Sequence, residues 1–186
     1  MSEDRPSSGE DWRAGILKFW FGLDEEQWWG GSPELDEQIR ERFLDLWEEK
    51  RSLPARSFLD HPLTALAAVV LFDQFPRNMF RGHADQFSTD PLALAIAKGA
   101  VDAGLDDKLE RQERAFLYMP FQHSEDLDDQ QRALLLYTSL GNEKMLHYAR
   151  LHYDIVKRFG RFPHRNTILG RPPRPEETAA GDVVPW

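Results

Sequence analysis

A chain of 186 residues, 41% hydrophobic and 30% charged, has the make-up of a globular protein and can bury roughly two-thirds of its unfolded surface. With 32 acidic against 23 basic side chains its formal charge is -9, which argues against duplex nucleic acid and anionic membrane surfaces as partners. It has no cysteine, so disulfides and thiolate chemistry are excluded, and a metal site would need histidine and carboxylates.

Met1 to Glu10 is polar, lacks the apolar core of a signal peptide and reads as a disordered lead-in, which makes a cytoplasmic location the expectation. A first helix is predicted from an N-cap at Asp11 to Phe21, burying Ile16, Phe19 and Trp20 and stopped by Gly22. Trp28-Trp29-Gly30-Gly31 reads as an aromatic turn. Ser32, Pro33 and Glu34 open the second helix as cap, first residue and dipole-compensating acid. Leu35, Ile39, Phe43, Leu46 and Trp47 then recur at helical spacing.

The block Leu63 to Phe72 has only Thr64 as a polar residue and is too short to span a bilayer, so it reads as a helix buried on all sides. It starts near Asp60 and Pro62, and Pro76 is expected to end it just after Asp73. Asp90-Pro91 opens a fourth helix, ended by Gly104, with Leu92, Ala95, Ile96 and Ala100 as a small-residue face. A fifth helix spans Leu109 to Met119 and is broken by Pro120; a sixth runs from about Glu125 to Leu140, and a seventh from Asn142 to Phe159-Gly160. Nothing alternates with period two. The expected fold is therefore all-α, about seven helices in one domain over residues 11–171, with a proline-rich tail over 172–186.

Three polar clusters lie at predicted helix ends: Asp73, Arg77, Asn78 and Arg81; His123, Ser124, Glu125 and Asp126; Arg161, His164, Arg165 and Asn166. Phe75-Pro76-Arg77-Asn78 and Phe162-Pro163-His164-Arg165-Asn166 share a spelling: a stiff Phe-Pro exit followed by guanidinium and amide donors. Arginine forks match carboxylate or phosphate, so these exits suggest a cleft for an anionic small molecule. Arg77, Arg81, Arg161 and Arg165 would hold its charge, Asp73 and Asn78 would orient the arginines, Asn166 would join the ligand-binding set, and His123 or His164 would move a proton. The same residues also read as ion pairs that fix the helix exits, with Ser124 as an ordinary N-cap. His152 falls in phase with Tyr148, Ala149 and Val156 and reads as a hydrogen-bonded core histidine.

No His-Glu-x-x-His spacing, glycine-rich phosphate loop or Gly-x-Ser-x-Gly elbow occurs, so neither a metal nor another cofactor is expected. A partner protein bound on the helical surface is the rival to the small-molecule reading.

The motifs Leu17 to Gly22, Leu71 to Gly82, Thr89 to Leu94, Pro120 to Asp126 and Arg158 to Gly170 together resemble the bacterial "domain of unknown function 924" family, over about residues 13 to 171. The resemblance implies a tetratricopeptide-like stack of antiparallel helical hairpins. It implies no established activity and no catalytic residue.

Overall fold

The structure, a computed structural model, describes residues 11–186; the expected lead-in over 1–10 lies outside the described residues. Among the described residues there is no strand, and the fold is all-α. The chain forms two compact units, one ending at Leu109 and the other beginning at Glu110.

In the first unit, α1 (Trp12–Trp20) is capped by Asp11, whose carboxylate accepts from the Arg13 amide, and it buries Ile16 and Trp20. The expected aromatic turn is instead a short helix, α2 (Glu25–Gly30). Asp24 and Gln27 close a reciprocal capping box at its start, a local signal that outweighs the weak helix propensity of the tryptophans. The Trp28 indole donates to the Trp20 carbonyl at 2.8 Å and folds α2 onto α1. Next comes α3 (Pro33–Lys50), capped by Ser32 and burying Leu35, Ile39, Phe43 and Trp47.

The buried block departs from its expected end. Its first part is α4 (Pro62–Val69), capped by His61 rather than Asp60; a π-helical turn, Val70–Gln74, follows, and α5 (Phe75–Met79) continues the path. Pro76 therefore sits in the first turn of α5, where a missing N–H is no loss, and the wider π turn absorbs the proline ring. The carbonyl four residues earlier, Phe72, accepts from the Thr89 hydroxyl instead. Every residue from Ala65 to Phe72 is fully buried.

Thr89 also precedes α6 (Asp90–Asp102), which buries Ile96 and Ala100 as expected, but Ala93 and Ala97 in place of Leu92 and Ala95. Gly99 of α6 lies against Leu59, where a β-carbon would come within 2.5 Å of a leucine methyl.

In the second unit, Pro120 restarts a helix as well as breaking one, so α7 (Arg111–Leu117) is followed directly by α8 (Met119–His123). The next helix, α9 (Leu127–Leu140), is capped by Asp126 rather than Ser124. Gly141 and Asn142 turn the chain into α10 (Glu143–Phe159), and α9 and α10 pack as an αα-hairpin. Gly160 ends α10 in a left-handed conformation. A 3-10 turn, Pro163–Arg165, then leads towards a final short helix, α11 (Pro175–Ala180).

Candidate functional site

The first predicted cluster lies in the first unit. Asp73 sits in the π turn with no solvent exposure and accepts from the Gln74 amide at 2.6 Å. Arg77 offers its fork to Asp90 through two bonds of 2.8 and 3.0 Å, and one of its nitrogens lies 3.6 Å from Asp73. Burial works against the arginine's charge, yet the carboxylates of Asp90 and Asp73 hold its pKa above the ordinary arginine value. One turn on, Asn78 and Arg81 both donate to Asp36 of α3, at 2.8 Å from the amide and at 2.6 and 2.8 Å from the guanidinium. Partial burial would raise the pKa of Asp36; these donors outweigh it and leave the carboxyl below its ordinary value. Each arginine fork in this cluster is thus filled by a carboxylate of the chain.

The second and third clusters lie in the second unit and meet there. Glu177 of α11, only 3% exposed, is a hub that the sequence reading missed. It accepts two bonds from Arg161 at 2.6 and 2.8 Å, one from Asn166 at 2.9 Å and one from the Arg174 amide at 2.8 Å. The Arg161 fork holds its carboxyl down to about 2. Pro175-Glu176-Glu177, a helix-opening spelling inside the supposed tail, was the available signal. Glu125 pairs through two bonds with Arg171, at 2.7 and 2.9 Å, and accepts from the Phe162 amide at 2.7 Å. Arg161, Asn166 and Glu125 therefore tie the segment after α10 into place.

His123, His164 and Arg165 are arranged differently. The rings of His123, His152, Phe162 and His164 follow one another with centroids 5.9, 5.6 and 5.6 Å apart, and the Arg165 guanidinium lies 4.6 Å from the centre of the Phe162 ring. His123 and His164 are half-buried; His152 is buried, as its phase on α10 requires. The His152 Nδ1 lies 2.8 Å from the Tyr148 carbonyl, which can only accept, so the proton sits on Nδ1 and Nε2 keeps its lone pair. Burial, then His123, with smaller effects of Arg165 and His164, push the pKa of this imidazole down to about 3. It is neutral at pH 7.

The backbone under His123 is pinned. The Gln130 amide, fully buried, donates to the carbonyls of Gln122 and Ser124 at 2.7 Å each, and Arg165 donates to the His123 carbonyl at 3.0 Å. Three successive carbonyls at the exit of α8 are held by side chains from elsewhere in the unit. Ser124 in turn donates to Asp129 at 2.8 Å. No group of three or more histidine or carboxylate side chains among the described residues is arranged to hold a metal ion. No helix among them is long and apolar enough to cross a membrane.

These features define an all-α protein whose helix exits are tied by arginine–carboxylate forks and whose second unit carries a row of imidazoles. A family model described as a bacterial protein of unknown function (DUF924) matches residues 16–180, and the chain belongs to that family. It is also similar to the solved structure of a protein of unknown function from Agrobacterium tumefaciens, at 41% identity and a TM-score of 0.83 over 90% of this chain and 95% of that one. No curated protein matches the chain.

Proposed function

We propose that the protein binds a small anionic metabolite at the imidazole row of its second unit, with His123 and His164 as the proton-carrying groups. What carries the reading is the ring succession from His123 through His152 and Phe162 to His164, beside Arg165. Burial is the main reason the His152 pKa is depressed, and the neighbouring His123, Arg165 and His164 add to it; an anion beside the row would offset that second contribution. The half-buried His123 and His164 can then donate to the anion or take up a proton, while the neutral His152 backs them without competing for charge. Arg77, Arg81, Arg161 and Asn166 act in this reading as scaffold, because carboxylates of the chain already engage them.

The test uses inorganic phosphate and citrate as probes. Thermal unfolding and imidazole proton spectra are followed for the wild type, His123→Ala and His164→Ala. A ligand at 100 times its Kd stabilises by about 2.7 kcal/mol, enough to see as a shifted melt. Both variants are expected to melt near the wild type without a probe and to lose the shift with one. A wild type unmoved by either anion, or variants that keep the full shift, would refute the proposal.

A further inference from the structure

The first unit carries a recess of about 430 Å³ beside α1, within the range of small-molecule sites. Its lining is mainly polar, with one aromatic wall formed by Trp12 and Phe58. The Trp12 and Phe58 rings meet edge to face with centroids 6.3 Å apart, and Phe58 is buried. Leu53, 41% exposed, supplies an apolar lip.

The charges around this wall are not equivalent. Arg13 is engaged by Asp11 on one side and by the Thr64 hydroxyl on the other, at 2.8 and 3.0 Å, so its fork is already filled. Lys50 is held against the recess with its ammonium 5.0 Å from the Trp12 ring centre. Its carboxylate neighbour, Glu49, is 3.3 Å away on a side chain 70% exposed, a weak pair. Asp60 lines the same recess and is exposed; it acts on Arg13 through space, while the Arg13 fork itself is bonded to Asp11. The recess therefore offers one ammonium, one carboxylate and an apolar surface.

We infer that this recess is a ligand site for a zwitterion of amino-acid size with an apolar side chain. The ligand's carboxylate meets Lys50, its ammonium meets Asp60, and its side chain lies on Trp12, Phe58 and Leu53. One positive and one negative protein group match one negative and one positive ligand group, so binding leaves no buried charge unpaired. The site is separate from the imidazole row and does not depend on it.

The full-length protein is titrated with leucine and phenylalanine, with N-acetylleucine and leucinamide as probes that each lack one charge. The readout is the Trp12 indole N–H signal, assigned through Trp12→Phe. Saturable shifts of that signal are expected with both amino acids, weakened at least tenfold for either blocked probe. Lys50→Met and Asp60→Asn each change one side chain at the recess and are expected to weaken binding at least tenfold with an unchanged melt. The inference fails if neither amino acid moves the Trp12 signal, if a blocked probe binds as well as leucine, or if both variants bind like the wild type. Because the readout sits on Trp12, failure here is distinct from failure of the histidine signals to respond to anions.

Discussion

The Thr89 hydroxyl donates to the Phe72 carbonyl at 2.7 Å and accepts from the Trp47 indole at 3.2 Å, all within the buried interior of the first unit. One side chain thereby settles two groups: a carbonyl that Pro76 cannot serve and an indole that has left water. Thr89→Val keeps the shape and strands both partners. The expected loss is about 1–3 kcal/mol by urea unfolding, with Thr89→Ser close to wild type. Equal stability of the valine variant would show that the relay matters little.

Gly31 has φ +62, and a β-carbon there would come within 2.6 Å of the Arg81 guanidinium, which is bound to Asp36. Gly31→Ala is expected to cost about 1–3 kcal/mol from backbone strain, plus whatever the displaced Arg81–Asp36 fork contributes. In a double-mutant cycle, Arg81→Ala should recover the second part and leave the first. Full additivity of the two changes would mean that the arginine yields freely.

His152 makes the second unit sensitive to mild acid. Its pKa falls from the usual 6.5 to about 3 on folding, so below pH 6.5 the unfolded chain binds a proton that the folded one refuses. Stability is then fully present above that pH and declines as pH falls, by at most about 1.4 kcal/mol per unit from this group. His152→Gln, which keeps a donor for the Tyr148 carbonyl, should flatten the slope of unfolding free energy between pH 6.5 and pH 4. An unchanged slope would assign the effect to other groups.

Glu177 acts in a lower window. Its carboxyl, near 2 when folded against 4.5 ordinarily, contributes above pH 4.5 and is lost as pH drops towards 2. Glu177→Gln keeps the shape but removes the charge that Arg161, Asn166 and the Arg174 amide share. Faster hydrogen exchange at the Arg174 amide and a shallower acid transition are expected. Exchange as slow as in the wild type would show that the hub does not hold this segment.

What the sequence made legible was local. Ser32-Pro33 and Gly160 act within a turn of themselves, and the structure has the helix start and end they specify. Proline was ambiguous for the same reason: Pro76 and Pro120 can stop one helix or open the next, and only the packing around them decides. The clusters themselves were visible as composition, but their partners were not. Asp36 lies 45 residues from Arg81 and Glu177 lies 16 from Arg161, and no periodicity links such positions. The pairing is a product of the fold.

Gln130 and Arg165 together hold the carbonyls of Gln122, His123 and Ser124, so the peptide planes on either side of the His123 ring cannot swing. Ordering a free residue costs roughly 1–2 kcal/mol of backbone entropy, and here that ordering is complete before any guest arrives. If His123 serves as proposed, an incoming anion would meet an imidazole whose backbone is already placed, with only its side-chain torsions left to set. Under the proposed function, discrimination at such a ring would come from angle as well as charge and would favour rigid molecules over flexible ones of equal valence.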